Sequence, residues 1–351
     1  MYTESSYPMS PAESTICSAK QLRASRLEEI ERRQVEKMED EYKDEIAAHQ
    51  KVMEMATVLD VNMMDLQPEL EWHMRPYLLD FLVESHLSLR LQPQTLFLAV
   101  NLIDRYCSRR VVFKKHYQLV GCAALWIAAK YEDKKDRVPT VRELKIMCCD
   151  AYEEDMFVQM EGHVLSTLEW NIGHPTVDTF LKQILQCNCY PSLEHLALYL
   201  CEISLFHKSF LGFPPSVIAS AAHIVAQHLL MNRTGVFTHV SPATSPDISH
   251  CVSLLSQYIL HPPSQSLQKK YSSSVFSQVA LILQDFVVRQ QHSVSALPPT
   301  PPPSSESPVP QQFDRNTVMI DAFRESAAYI TPPCSPDEAC PAAYQELPTP
   351  C

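Results

Sequence analysis

The chain has 351 residues, enough for two compact domains with tails at roughly 100–200 residues per domain. Hydrophobic residues make up 46% of it, but only 5 glycines stand against 27 prolines, which disfavours both a glycine-turned β fold and a phosphate-binding loop. A formal net charge of −12 disfavours a nucleic-acid-binding protein, because such a protein usually presents a basic surface.

The N-terminal sequence is polar and lacks an apolar run, so we expect no secretory signal. The 12 cysteines are accordingly expected to stay as thiols in a reducing compartment. Residues 1–19 are predicted to be disordered.

Charged residues dominate from residue 20 to about residue 55, and apolar residues recur there at steps of three and four. This spacing is typical of an amphipathic helix, so we predict an N-terminal helix and linker over residues 20–64. Its apolar stripe belongs either to a solvated arm or to a partner-contacting surface. The stripe consists of Val35, Met38, Tyr42, Ile46, His49 and Met53.

A first helical unit is predicted over residues 65–172. Its central helix, 118–131, is rich in alanine and apolar on nearly every side, as expected of a helix surrounded by other helices. With about a dozen apolar residues it is well short of the ~20 that a membrane crossing needs. Lys130 is placed where this helix reaches the surface. The five predicted helices lie within 65–89 and at 93–107, 114–131, 140–150 and 153–168.

A second helical unit is predicted over residues 173–290, with proline-rich or polar turns between its helices. Its third helix is again rich in alanine, which indicates an internal duplication at a period of roughly 100 residues. The five predicted helices are 176–187, 193–210, 215–231, 248–260 and 267–288. Residues 291–351 contain too much proline and too little clustered aliphatic sequence to fold, and are predicted to be a disordered tail.

The sequence contains no persuasive catalytic or metal-binding arrangement. Cys148 and Cys149 are adjacent and Cys187 and Cys189 are two apart, so neither pair has the CxxC spacing of a zinc site. The histidines lack the spacing of a zinc-protease helix, and there is no nucleophile elbow or phosphate loop. We therefore predict a protein that is not itself an enzyme and that carries no metal or cofactor.

Several segments resemble characteristic helices of the cyclin family. HMRPYLLDFLVE resembles the cyclin signature helix, LFLAVNLIDRYCSRR the second helix of the cyclin box, and QLVGCAALWIAAKYED the third. QMEGHVLSTLEWNIGHPT resembles the fifth helix and the passage into the second box, and the likeness extends through PPSVIASAAHIVAQ. It implies an all-α protein with two tandem five-helix cyclin-box domains, an N-terminal helix and a disordered Pro/Ser/Thr-rich tail.

The resemblance covers about residues 60–290, and several motifs in the right order make it specific. The segments EWHMRPYLLDFLVESH, LWIAAKYEDKKDRVPT and TLEWNIGHPT look most like fungal G1-type cyclins.

The same resemblance implies roles for four charged residues. An arginine of the signature helix pairs with an aspartate of the next helix in cyclins, and the matching residues are Arg75 and Asp104; the alternative is that both are exposed. The charges that grip the kinase match Lys130 and Glu161. For these, the alternatives are a lysine placed favourably at a helix C-terminus and a solvated glutamate.

A substrate-docking patch on the signature helix is also implied. Tyr77 stands where the family usually has a small aliphatic residue, and Phe81 where it usually has tryptophan, so we expect an altered peptide preference. Leu78 fits the patch or the core equally well. The matching positions are Met74, Tyr77, Leu78, Phe81, Glu84 and Gln118.

The tail carries serine and threonine residues followed by proline, the minimal pattern for proline-directed kinases. Several of these sites resemble phosphodegrons, in which an arginine cluster of a ubiquitin ligase binds the added phosphate. The alternative is a tail that is merely flexible. The sites are Thr300, Ser307, Thr331, Ser335 and Thr349.

The resemblance therefore implies a G1/S cyclin that activates a cyclin-dependent kinase, docks that kinase's substrates and acts in nucleus and cytoplasm. We expect it to bind neither nucleic acid nor membrane. Alternatives are a cyclin of a phosphate-sensing or polarity kinase, a transcription-factor-IIB-like module that binds DNA or a polymerase, and a helical scaffold without a kinase.

Overall fold

The computed structural model describes residues 11–185, 190–231, 245–261 and 263–295, and the regular structure of these residues is helical throughout. Helices α4–α8 form the first predicted unit and α9–α14 the second. In chain order the helices are α1 (Pro11–Glu41), α2 (Lys43–Ala56), α3 (Val61–Met64), α4 (Met74–Ser88), α5 (Pro93–Arg109), α6 (Tyr117–Glu132), α7 (Val141–Met147), α8 (Glu154–Thr167), α9 (Val177–Leu185), α10 (Pro191–Leu205), α11 (Pro215–Met231), α12 (Pro246–Tyr258), α13 (Gln265–Tyr271) and α14 (Val279–Ser295).

The N-terminal arm starts earlier than the sequence predicted. Helix α1 begins at Pro11, whereas the sequence predicted disorder over 1–19; residues 1–10 lie outside the described residues. Proline fits a first helical turn because its missing N–H has no helical partner there. A turn at Tyr42 then separates α1 from α2.

The last predicted helix, 267–288, is in fact two helices. The serines between α13 and α14 bond back to the preceding turn, with Ser272 Oγ donating to Gln268 O at 2.8 Å and Ser273 Oγ to Lys270 O at 2.9 Å. Such bonds compete with continued helix. Ser277 and Gln278 follow in left-handed conformations (φ of 52° and 51°), and α14 then continues to Ser295, past the predicted end of the fold at 290.

Two other predicted helices differ at their ends. Thr140 and Glu143 form a capping box that starts α7, but α7 ends at Met147 because Cys149 and Asp150 are left-handed. Helix α9 ends at Leu185, and the remaining predicted residues, 186–187, lie outside the described part of the chain.

The core of each unit is built around one alanine-rich helix. In α6, Ala123, Ala124 and Ala128 have no exposed surface, and the helix packs between α4, α5 and α8. Helix α11 has the same place in the second unit, between α9, α10 and α12. Small side chains let neighbouring helices approach closely. None of the described helices is both long and apolar enough to cross a bilayer.

The two units are joined by polar contacts between α4 and α13. The Ser264 hydroxyl donates to the Asp80 carboxylate. The Ser266 hydroxyl donates to Glu84 Oε1 at 2.7 Å and lies 3.1 Å from Asp80 Oδ2, which can share the same hydrogen. Helix α2 bridges to the second unit, because the carboxylate of Glu54 accepts the Ser216 backbone N–H at 2.8 Å. These bonds fix the orientation of one unit against the other.

The contact of α6 with α4 depends on Gly121. A Cβ at this position would lie 2.7 Å from Leu78 Cδ1, and Leu78 is itself buried. We expect Gly121→Val to lower the free energy of unfolding by roughly 1–3 kcal/mol through overpacking. Gly162→Val on α8 is the matched control, because a Cβ there meets no heavy atom within 4 Å. Equal urea midpoints for the two variants would contradict this prediction.

Stability is expected to fall in mild acid because of buried histidines. Burial, assisted by the charge of Lys270, lowers the pKa of His86 from 6.5 to about 4, and its Nε2 lies 2.7 Å from Gln92 O. Between these two pH values the unfolded chain holds a proton on His86 that the folded chain lacks, so stability is full above pH 6.5 and decreases toward pH 4.

The contribution of one such histidine is at most about 1.4 kcal/mol per pH unit. Urea titrations at several pH values are expected to show a shallower pH dependence for His86→Gln than for the wild type. An identical slope would contradict the assignment.

Candidate functional site

Lys130 and Glu161 meet on the surface that α6 and α8 share. Lys130 Nζ lies 2.6 Å from Glu161 Oε1, with 39% and 16% of the two side chains exposed. The same ammonium lies 3.2 Å from the centroid of the Trp126 ring, a cation–π contact. Lys130 occupies the last turn of α6, where a cation is favoured by the helix dipole. The salt bridge and the cation–π contact together hold the Lys130 ammonium in one position on this surface.

Trp126 is the support beneath this pair. Its side chain is buried, and its Nε1–H donates to Pro139 O at 3.0 Å, just before α7. It belongs to a separate apolar cluster between α6, α7 and α8. The members of that cluster are Leu119, Cys122, Trp126, Leu144, Cys148, Tyr152 and Phe157. A tryptophan anchored at both its ring and its N–H gives the charge pair a rigid base.

Exposed apolar side chains are close in sequence to both members of the pair, and one follows α8. Tyr131 follows Lys130 and is 55% exposed, while Val158, 53% exposed, precedes Glu161 by about one turn of α8. Trp170, 68% exposed, lies beyond the carboxyl end of α8 in a left-handed conformation with φ of 59°. Trp170 was missed as a site candidate from the sequence. A tryptophan in the turn that follows a helix is a usable signal, because large aromatic residues are enriched at interfaces.

Arg75 and Asp104 form a buried ion pair, and the alternative of two exposed residues is excluded. Arg75 Nη2 lies 2.6 Å from Asp104 Oδ2, with about 5% and 6% of the two side chains exposed. Arg75 Nη1 also donates to Leu205 O of α10 at 2.5 Å, so the pair ties α4 and α5 to the second unit. Removing one partner of such a pair typically costs ~3–5 kcal/mol.

The implied docking patch is only partly available. Tyr77 is 54% exposed, and Met74, Phe81 and Gln118 are half-buried at the surface of α4 and α6. The placement of Leu78 in the docking patch is corrected: the side chain is buried against Gly121 and belongs to the core, the alternative that the sequence left open.

Glu84 is exposed but already accepts the Ser266 hydroxyl bond. Five of the six implied patch residues therefore have accessible surface, and Leu78 does not.

The implied tail sites and the Cys187–Cys189 pair lie outside the described residues. Within the described part of the chain, no group of three or more His, Cys, Asp or Glu side chains is placed to hold a metal ion. The tail sites are Thr300, Ser307, Thr331, Ser335 and Thr349.

Two tandem helical units, each built on a buried alanine-rich helix, define the cyclin fold. Comparison with protein-family models agrees: residues 45–173 match the cyclin N-terminal domain and residues 175–285 the cyclin C-terminal domain. These two matches together span well over half of the chain, and the chain therefore belongs to the cyclin family.

Its relatives include fungal G1/S cyclins. It is 43% identical over 270 residues to the G1/S-specific cyclin CCN1 of Candida albicans (strain WO-1), an alignment that covers 71% of this chain and 37% of that relative. It is 41% identical over 190 residues to cyclin puc1 of Schizosaccharomyces pombe, covering 54% of this chain and 50% of that one. The chain thus spans half or less of the length of these relatives.

A solved structure supports the fold. The crystal structure of a viral cyclin from herpesvirus saimiri superposes with a TM-score of 0.53 at 19% identity, covering 61% of this chain and 96% of the viral one. At this identity the likeness shows the fold alone.

Proposed function

We propose that this chain is a G1/S cyclin: a non-catalytic subunit that binds a cyclin-dependent Ser/Thr protein kinase, activates it allosterically and so drives entry into the cell cycle. The observation that carries the proposal is the Lys130–Glu161 pair, set on the Trp126 platform at the surface of the first unit. Similarity to relatives named G1/S-specific cyclins supports the stage of the cell cycle.

Activation needs only a rigid surface, because the catalytic groups belong to the kinase. A protein kinase works when its β3 lysine pairs with a glutamate of helix αC, and the position of αC controls that pair. A partner that binds the inward position of αC more tightly shifts the kinase to the active conformation. The buried α6 and its anchored Trp126 make such a surface stiff enough to favour one position.

The charge pair and the exposed apolar side chains contribute differently to kinase binding. Lys130 and Glu161 are partly exposed and pair with each other in the free chain, so neither charge of this pair lacks a partner before the kinase binds. On binding, the two groups orient the kinase through charge complementarity. Exposed apolar side chains such as Tyr131 and Val158 supply the area whose burial gives affinity.

Lys130→Ala combined with Glu161→Ala is expected to weaken kinase binding at least about tenfold, or about 1.4 kcal/mol. Kinase activity at limiting cyclin should fall in parallel. The measurement is calorimetric titration with a fungal cyclin-dependent kinase, followed by a peptide phosphorylation assay.

A closely matched control lies elsewhere on the chain. Lys208 Nζ pairs with Asp65 at 2.6 Å and lies 4.6 Å from the centroid of the Trp72 ring, so it reproduces both interactions of Lys130. Lys208→Ala with Asp65→Ala should leave kinase binding unchanged. An affinity for the Lys130/Glu161 variant equal to that of this control would remove the interface assignment.

The exposed part of α4 is proposed to dock kinase substrates. Met74, Tyr77 and Phe81 present apolar surface there, and Gln118 lies at the start of the neighbouring α6. The large exposed Tyr77 ring favours a peptide preference of its own.

The tail is proposed to set the lifetime of the protein, in nucleus and cytoplasm, through phosphorylation and a ubiquitin ligase. Five Ser/Thr-Pro sites within residues 300–349 support this. Each added phosphate carries charge that an arginine cluster can bind.

Ending the chain at Ser295, the last residue of α14, is expected to lengthen its half-life at least twofold, because the five sites are removed while the helical units stay intact. A cycloheximide chase measures the half-life. Alanine at all five sites should act like the truncation, whereas Ser304→Ala with Ser305→Ala, two serines not followed by proline, should not. A truncated chain that decays at the wild-type rate would end the degron proposal.

A further inference from the structure

Three cysteines come together where α6 meets the end of α7. Cys122 of α6 and Cys148, the residue after α7, place their Sγ atoms 3.3 Å apart. Both side chains are buried, with 0% and 3% exposure. Cys149, the next residue, is exposed. A buried dithiol in contact thus has a thiol at the surface as its chain neighbour.

This cluster lies on the same face of α6 as the proposed kinase-binding pair, about two helical turns before Lys130. Cys122, Trp126 and Lys130 are spaced four residues apart, so they follow one face of α6. Helix α7 is attached to that face at both ends: Trp126 Nε1–H bonds Pro139 O before α7, and the two thiols meet after it. A change at the thiols is therefore coupled to the base of the Lys130–Glu161 pair.

The two buried thiols need little movement to join. A disulfide has an S–S distance of about 2.05 Å, so closing the pair takes a shift of roughly 1.2 Å. Direct oxidation is slow, because the hydrogen bond with Cys148 and burial raise the pKa of Cys122 well above its ordinary value, and the thiolate is the reactive form. An oxidant in solution therefore meets Cys149 first.

We propose that Cys122 and Cys148 are a redox modification site, oxidised by peroxide through Cys149, and that the resulting disulfide lowers kinase activation. The second half of this statement rests on the proposed function; the first half does not.

The steps balance in atoms and electrons. The Cys149 thiolate attacks hydrogen peroxide and breaks the O–O bond; it becomes a sulfenic acid, and the displaced hydroxide takes up the thiol's proton and leaves as water. The Cys148 thiolate attacks that sulfur, forming a strained Cys148–Cys149 disulfide, and the displaced hydroxide takes up the Cys148 proton as a second water. The Cys122 thiolate then attacks the Cys148 sulfur, which moves the disulfide to Cys122–Cys148, and the departing Cys149 thiolate takes up the Cys122 proton. Overall, one peroxide is reduced and two thiols are oxidised; a dithiol reductant reverses the change.

The disulfide has a mechanical consequence for the surface above it. Closing the sulfur gap draws the end of α7 toward α6, while the Trp126–Pro139 bond still holds the other end of α7. The strain falls on Trp126, and the Lys130 ammonium that lies against its ring shifts with it.

Peptide mapping after oxidation tests the site itself. The full chain is treated with hydrogen peroxide, quenched with catalase, alkylated and digested with trypsin. Cys122 lies in the peptide 116–130, and Cys148 and Cys149 lie in 146–182. We expect these two peptides to be covalently linked. Unlinked peptides, whether unchanged, over-oxidised or carrying a disulfide within 146–182, would overturn the proposal.

Variants distinguish oxidation through Cys149 from direct oxidation of the buried Cys122–Cys148 pair. Cys149→Ser should slow formation of the link at least tenfold and leave kinase activation by the reduced chain unchanged. Cys251→Ala, at another fully buried cysteine, is the control and should link at the wild-type rate. Equal rates for Cys149→Ser and the control would remove Cys149 from the pathway.

The kinase readout tests the regulatory half. Chain shown to be linked, once freed of peroxide, is expected to activate the kinase several-fold less than reduced chain, with recovery after dithiothreitol. Unchanged activation by linked chain would overturn this half. If even reduced chain fails to activate the kinase, the proposed function fails, while the peptide result still decides the redox site.

Discussion

Burial of α6 on all sides constrains the whole first unit. A helix without a polar face must be covered by neighbours, and the alanines and Gly121 set how closely those neighbours approach. Apart from Gln118 in its first turn, only the carboxyl end of α6 reaches the surface. Lys130, in this last turn, therefore has a position fixed by the core rather than by a loop. A surface that must favour one conformation of a partner benefits from that stiffness.

The Arg75–Asp104 pair extends this constraint to the second unit. Its guanidinium contacts α5 through the carboxylate and α10 through the Leu205 carbonyl. A cation buried among apolar helices adopts few alternative positions, because leaving either acceptor strands a charge. The relative placement of the two units is thus set by a few directional bonds as well as by apolar packing.

Much of this architecture follows from the sequence alone. The all-round apolar character of 118–131 identified the central helix, and the alanine-rich segment after residue 215 showed that the pattern repeats. The start predicted at residue 140 agrees with the capping box of Thr140 and Glu143 that begins α7. Its end was not predictable, because consecutive left-handed residues other than glycine, here Cys149 and Asp150, leave no clear sequence signal.

The candidate site could be predicted only in part. The positions of Lys130, Glu161, Arg75 and Asp104 came from motif likeness, whereas the face on which Leu78 lies depends on how α4 packs against Gly121. The Ser266–Glu84 bond joins residues 182 apart in sequence, so no local pattern could reveal it.

That bond couples the exposed part of α4, the proposed docking surface, to α13 of the second unit. A ligand that requires Glu84 Oε1 must displace a hydroxyl that the protein itself supplies, and its apparent affinity is lowered by the free energy of that exchange. Linkage is reciprocal: a ligand bound at Glu84 Oε1 would weaken the contact between α4 and α13, and a stronger α4–α13 contact would lower the affinity for that ligand. The Ser266–Glu84 hydrogen bond, which holds the two units together, thus also competes with a ligand for Glu84.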